Sequence, residues 1–370
     1  MAAVFFYISG HGFGHASRQI EIVNALGALR PDVEIAIRTS AARWLFDRTV
    51  RGPITLMRGE VDTGVVQVDS LRLDERETID RAREFHRSLP LRAQEEAQLL
   101  RGLGARLVVA DAPPLGCAAA AVAGIPSVVV GNFTWDWIYQ AYDEALATAP
   151  ELVPSIQAAY RTARAAWRLP MHGGFSTFET IADVPFVARH ATRGRDDVRK
   201  RLGLPEGLPL VLSSFGGYGV QGLEDLARLD CRDSYGVVVT YRDEFEAPSK
   251  VPARIFPVSE DRLYGGGLRY EDLVAACEVV ATKPGYGIIS ECIANGVAMM
   301  YTSRGQFVEY DVLVEELPRY LRAGYIDHDA LFAGRWRATL DAIMAAPPPS
   351  ERPRTDGAQQ IAEMISAAIR

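Results

Sequence analysis

"ISGHGFGHASRQIEI", residues 8–22, decides the fold. The run Val4–Ile8 that leads into it is apolar and reads as a buried strand. Gly10, Gly12 and Gly14 follow, interleaved with His11 and His15, and then Ser17–Leu29 carries a helical pattern. A strand that passes through a glycine turn into a helix opens a Rossmann-like unit. Glycines at such a turn allow positive φ and close approach of a ligand to the backbone. The dinucleotide fingerprint GxGxxG is not met, because the third glycine falls one residue early. The next strand also ends in "IRTS", without the carboxylate that holds a nicotinamide ribose. His15 stands where the helix begins, and the positive helix end disfavours an imidazolium, leaving the ring available as a base. The competing reading, for His15 and more strongly for His11, is a structural histidine satisfied within the turn.

The pattern repeats along the chain. Val33–Ile37, Arg106–Ala110 and Ser127–Val130 read as further strands, with a charged helical stretch over Glu75–Leu100. A second series begins with Pro209–Ser213 and continues through Gly236–Thr240, Val279–Ala281 and Val297–Tyr301. The reading is α/β, with two doubly wound Rossmann-like domains facing across a cleft. Residues 1–188 form the N-terminal domain and 209–345 the C-terminal domain. The charged segment 189–208 is the connector, and 346–370 a tail ending in an amphipathic helix.

Composition narrows the function classes. The chain has 370 residues, 48% hydrophobic and 24% charged, with a net charge of −7. An acidic balance gives no electrostatic grip on nucleic acid or anionic lipid. The first residues carry no basic leader and break at glycine too early for a signal peptide or membrane span, so a cytoplasmic location is expected. Cys117, Cys231, Cys277 and Cys292 are far apart, without a CxxC pair, and read as reduced buried thiols.

Candidate chemistry clusters at strand ends. A base histidine needs an acceptor on its other ring nitrogen, and Asp111, closing the strand of "RLVVADAPPLG", is the candidate. The alternative is a cap on the alanine-rich helix that follows. "GNFTWDWIYQAY", 131–142, sets Trp135, Trp137, Tyr139 and Tyr142 near another strand end, with Asn132 and Asp136 available to hydrogen-bond an acceptor. "RGEVDTGVVQVDSLRLD", 58–74, is expected in the same wall. In the second half, Ser213, Ser214, Gly216 and Gly217 suit a phosphate cradle. In "ATKPGYGIISE", a helix begins near Ile288 after Gly285 and Gly287, and Glu291 lies one turn in. Asp327 and Asp329 form a DxD pattern that some enzymes use for Mn²⁺ or Mg²⁺; here they read as helix caps, and no metal is expected.

The glycine–histidine turn, the connector and "PGYGIISE" together resemble the GT-B nucleotide-sugar glycosyltransferases. The spacing from Gly285 to Glu291 is similar to that of the peptidoglycan UDP-GlcNAc transferase, as is the position of His15. The segments "GHGFGHASR", "VVQVDSLRLD", "VVADAPPLGCAAAAVAGIPSV", "NFTWDWIY" and "KPGYGIISE" resemble the glycosyltransferase-like N-terminal half of plant L-arabinokinases and its stand-alone bacterial relatives. The resemblance implies UDP-sugar binding by the second domain. Glu291 would take the ribose and the Ser213–Gly217 turn would lie near the pyrophosphate, with Lys283, Gly285, Tyr286, Gly287, Phe307 and Glu309 around the donor. Lys283 departs from the peptidoglycan enzyme. His11, Phe13, Asn132, Trp135 and Asp136 would meet the acceptor. The kinase half of the plant proteins is not expected here, so sugar phosphorylation is not carried over.

The expectation is an inverting, metal-independent transfer from a UDP-sugar to an acceptor hydroxyl. His15 would act as base, oriented by Asp111, with no cofactor beyond the donor. Glu291 and His15 would look at one another across the cleft. Two alternatives stay open: a UDP-GlcNAc 2-epimerase-like enzyme and a nucleotide-sugar-binding module without turnover. Expected partners are small molecules, with no nucleic acid and no membrane span; peripheral membrane association and a homodimer remain open.

Overall fold

The opening strand β1 (Ala3–Ile8) is buried along its whole length, as its apolar run requires. In the structure, a computed structural model that describes residues 3–68, 72–215, 226–241, 251–305 and 307–370, β1 is the third strand of a seven-stranded sheet. Its companions are β2 (Glu34–Thr39), β3 (Thr55–Arg58), β4 (Ala105–Asp111), β5 (Ser127–Gly131), β6 (Ala165–Arg168) and β7 (Ile181–Asp183). The order is 3-2-1-4-5-6-7 and the pairings are parallel. Order reverses between β1 and β4, so the carboxyl ends of these two strands border the place where open α/β sheets take ligands. Ile8 pairs with Asp111 at that edge.

The second sheet repeats the plan with six strands: β8 (Leu210–Ser214), β9 (Gly236–Tyr241), β10 (Ile255–Ser259), β11 (Val279–Thr282), β12 (Ala298–Tyr301) and β13 (Ala323–Tyr325). Its order is 10-9-8-11-12-13, again parallel, with the reversal between β8 and β11. Two sequence-separated sheets of this order are the two Rossmann-like halves expected.

The chain divides into two units, one comprising Met1–Val66, Leu73–Ala188 and Arg354–Arg370, the other Gln67–Arg72 and Arg189–Pro353. This corrects two of the expected boundaries. The segment 189–208 is part of the second unit rather than a solvated connector. Its helix Arg195–Leu202 buries Val198 and Leu202. Arg199, 2% exposed, donates to the carbonyls of Ala276, Pro205, Glu206 and Leu208 and to Glu278, so its charge is spent inside the unit. The tail is likewise shared out. Helix Gly357–Ala368 lays Ala358, Ile361, Ala362 and Ile365 into the core of the first unit.

Two helical readings also shift. The helix after the glycine turn spans Gly14–Leu29 and so includes His15 in its first turn. The stretch 75–100 is two helices, Glu75–Arg87 and Leu89–Gly102, broken at Ser88 because Pro90 belongs in a first turn, where its missing N–H costs nothing. All four cysteines are free and buried, far from one another in sequence as expected.

Candidate active site

Asp111 closes β4 and His15 opens the helix after β1, so parallel pairing brings the two to one edge. His15 Nδ1 lies 2.8 Å from Asp111 Oδ1, and both residues are buried, 6% and 1% exposed. The helix after Asp111, Pro114–Ala123, receives no side-chain cap, so the capping alternative does not describe this carboxylate. Instead Asp111 is saturated by the opposite helix. Arg18 Nε donates to Oδ2 at 2.9 Å and Arg18 Nη2 to Oδ1 at 2.6 Å, a two-pronged grip. Gln19 Nε2 donates to Oδ2 at 2.8 Å. Burial alone would raise the Asp111 carboxyl; the attraction of Arg18 and of His15, with their hydrogen bonds, holds it well below the usual carboxylate range. An ionised Asp111 fixes the proton of the neutral imidazole on Nδ1 and leaves the lone pair on Nε2.

Sequence reasoning missed Arg18 and Gln19, although the signal was there. They stand three and four residues after His15, on the same helical face. It also missed Asp62. This carboxylate follows β3 and is 7% exposed; Ser9 Oγ donates to its Oδ1 and Trp135 Nε1 to its Oδ2, both at 2.9 Å. Burial pushes the Asp62 carboxyl up to about 6, against the attraction of His15 and the two hydrogen bonds.

The expected acceptor residues turn inward to brace this dyad. Asn132 accepts from Arg18 Nη1 and donates to the carbonyl of Pro170 at 2.6 Å. Trp135, 1% exposed, stacks on Tyr139 with centroids 5.5 Å apart, and Tyr139 donates to the carbonyl of Gly64. The His15 ring meets Phe133 edge-on at 5.3 Å and Trp135 at 6.3 Å. His11 packs edge-on to Trp135 at 6.0 Å, and a Cβ on Gly64, whose φ is +62°, would stand 2.7 Å from the His11 ring. Asp136 accepts from Thr177 Oγ1 at 2.7 Å. Phe13 packs against Trp44 at 5.6 Å, and Tyr142 is buried, while Trp137 is only partly so. Of the stretch 58–74, residues 69–71 lie outside the described residues.

In the second unit the helix begins at Tyr286 and runs to Asn295, two residues earlier than read, with Glu291 buried on it at 4% exposure. Glu291 Oε1 accepts from Arg189 Nε at 2.7 Å and from Arg189 Nη2. The same guanidinium lies 3.5 Å from Glu271, and its pKa is driven up: burial works against the charge, and the attraction of Glu291 and Glu271 outweighs it. Arg189 was hidden to sequence reasoning because it stood in the supposed connector. Asn295 ties the helix back by donating to the Arg189 carbonyl and accepting from Ala191 N–H. Ser214 Oγ sits 2.5 Å from Tyr270 Oη and Ser213 is half-buried, whereas Gly216 and Gly217 lie outside the described residues. Gly285 caps the helix with extended backbone, Gly287 accepts from Ser290 Oγ, and Lys283 is half-buried in the same loop. Phe307 and Glu309 are both buried around Arg304, which lies over the Phe307 ring at 3.8 Å and donates to Glu309 at 2.8 Å.

Asp327 accepts from Ala330 N–H at 2.7 Å, which makes it a cap. Among the described residues no three His, Cys, Asp or Glu are grouped to hold a metal, and no helix is long and apolar enough to cross a membrane.

No family model matches the chain. Over 348 residues it is 30% identical to the L-arabinokinase of Arabidopsis thaliana, covering 93% of this chain and 32% of that protein. The chain thus spans about a third of the length of that curated relative. Among solved structures it is similar to a glycosyltransferase of kitacinnamycin, with a TM-score of 0.67 at 14% identity over 100% of this chain and 99% of that one. CalG4, the calicheamicin glycosyltransferase, gives a TM-score of 0.64 at 17% identity, over 99% and 98% of the two chains. Phytolacca americana UGT2, solved with UDP-2-fluoro-glucose and pterostilbene, gives 0.61 at 13% identity, over 99% and 94%. These likenesses show the fold: two Rossmann-like halves of the GT-B type.

Proposed function

We propose that this chain, folded as the GT-B glycosyltransferases are, moves a sugar from a UDP-sugar to an acceptor hydroxyl with His15 as the general base. The observation that carries the reading is the 2.8 Å contact between His15 Nδ1 and Asp111 at a ligand-taking sheet edge. A hydroxyl is a poor nucleophile until a base removes its proton. The lone pair on His15 Nε2 takes that proton as the acceptor oxygen bonds to the anomeric carbon. The bond from that carbon to the phosphate oxygen breaks, and UDP departs with the electron pair. One displacement inverts the anomeric centre.

The donor falls to the second unit, where Glu291 offers a carboxylate to the ribose. Arg189 holds Oε1 of that carboxylate in place. Helix N-termini and the β8 loop would carry the developing diphosphate charge without a metal, and no cofactor beyond the donor is required. A cytoplasmic location belongs to the same proposal.

The test is incubation with a panel of UDP-sugars, with and without hydroxylated acceptors, reading UDP release and the configuration of the product by NMR. Acceptor-dependent UDP release with an inverted product is expected. Interconversion of the sugar alone would instead make the chain an epimerase, binding without release would make it a module, and a retained configuration would remove the single displacement.

A further inference from the structure

The base proposed for His15 has an unusual partner. In a simple His–Asp pair the carboxylate charge is available to stabilise the imidazolium that forms during proton uptake. Here that charge is already met, because Arg18 grips both oxygens of Asp111 at 2.6 and 2.9 Å. Arg18 also stands 3.3 Å from His15 Nδ1. Asp111 and Arg18 together are neutral, so a proton arriving on His15 would leave a net positive charge in a buried site. Asp62 is the acid that remains. It lies close enough for attraction between it and His15 to count, and it is anchored by Ser9 on the β1 end and by the Trp135 indole whose ring neighbours the imidazole. With Asp62 ionised, the cluster of Asp111, Arg18, Asp62 and His15 carries −1 with a neutral imidazole and zero with an imidazolium.

We infer that Asp62 is the counter-charge of the base: a positioning residue that holds Trp135 against His15 and compensates the imidazolium in place of Asp111. The inference rests on the base reading above. Among the described residues, Asp111 from β4, Arg18 from its own helix and Asp62 after β3 bear on His15, with His11 reaching the cluster through Trp135. Asp62 needs no contact with substrate to act. Its effect is electrostatic, and it should appear in the titration of His15 before any sugar is present.

The experiment is NMR titration of the full chain with ¹⁵N-labelled histidine, His15 being assigned by its loss in His15→Gln. In Asp62→Asn the midpoint of the His15 ring should fall by about one pH unit, the effect of losing one opposite charge nearby. Turnover should fall about tenfold in kcat with KM little changed, and Asp62→Glu should recover part of both. Should Asp62→Asn fail to fold, the reciprocal measurement serves. In His15→Gln the Asp62 carboxyl, followed by ¹³C in labelled aspartate, should titrate at higher pH than in the wild type. A buried residue with a purely structural role would lower the melting temperature and leave both midpoints in place, which overturns the inference. Turnover that survives His15→Gln would instead remove the base reading while a moved midpoint left the counter-charge standing.

Discussion

Asp111 in the first unit and Glu291 in the second are both buried carboxylates at the carboxyl edge of a parallel sheet, and each is held by an arginine: Arg18 for one, Arg189 for the other. They differ in what else shares the arginine. Asp111 meets a second donor that can change its charge near neutral pH, the imidazole of His15. Around Glu291 the guanidinium of Arg189 is shared with another acid, Glu271, which Arg269 also approaches at 3.3 Å. On the function proposed, one edge would move a proton and the other would hold charges toward a ligand. Exchange of these roles by mutation is the way to test the contrast.

The largest expected effect is on turnover from the edge with the imidazole. His15→Gln should cut kcat by about 10²–10⁴-fold, the usual worth of a positioned base, while UDP affinity measured by calorimetry stays near the wild-type value. Equal losses in both would make His15 a structural residue and erase the contrast. Asp111→Asn comes next, in stability. Arg18 has a side chain only 9% exposed, and this change strips its anionic partner. Leaving a buried charge unpaired costs about 3–5 kcal/mol, to be read in denaturant unfolding of the full chain.

A smaller effect belongs to the second unit. Glu291→Gln should weaken UDP binding about tenfold, as for one lost hydrogen bond to a charged group, read by calorimetry. Unchanged UDP affinity in Glu291→Gln would remove Glu291 from the donor site.

How legible these edges were in the sequence follows from how local their causes are. β1, the glycine turn and the helix bearing His15 are contiguous, and an apolar run, a glycine turn and a helical pattern suffice to read them. Arg18 was equally local and needed only helical spacing. Strands Thr55–Arg58, Ala165–Arg168, Ile181–Asp183 and Ala323–Tyr325 escaped because they are short and partly exposed and carry no continuous apolar run, unlike the equally short Val279–Thr282, and Ile255–Ser259 escaped because Pro257 interrupts it. Asp62 escaped for a different reason. Its partners Ser9 and Trp135 are 53 and 73 residues away, and nothing within its own segment marks it for burial. Arg189 and Arg199 were read as solvated charges because composition reports charge density and says nothing of pairing; Glu291, Glu278 and four backbone carbonyls supply the partners.

The pH dependence of stability separates the two acids of the first unit. Asp111 sits below its unfolded range, so its contribution is present above about pH 4 and is lost as acid is added. Asp62 has the opposite sign. Burial raises its folded carboxyl to about 6, so the folded chain binds the proton more tightly, and that contribution is complete below about pH 4 and lost as pH rises through 6. Over the same window buried His86, pushed down to about 4, works the other way and gains stability as pH rises, so Asp62→Asn should make stability rise more steeply between about pH 4 and pH 7 than in the wild type. A pH profile unchanged in Asp62→Asn would show that Asp62 does not titrate in this window.

The smallest effect concerns an acid that belongs to neither edge. Asp327 accepts a single backbone N–H at the start of the short helix His328–Phe332 and nothing else is asked of it. Asp327→Ala should cost about 1 kcal/mol, as for an ordinary helix cap. On the metal-independent transfer proposed above, UDP release should be the same in the variant, and the same for wild type with EDTA or added Mn²⁺. A variant that lost turnover in proportion to added Mn²⁺ would move the developing diphosphate charge onto a metal at the DxD pair. The second edge would then be a metal platform, and its contrast with the imidazole edge would have to be redrawn around that ion.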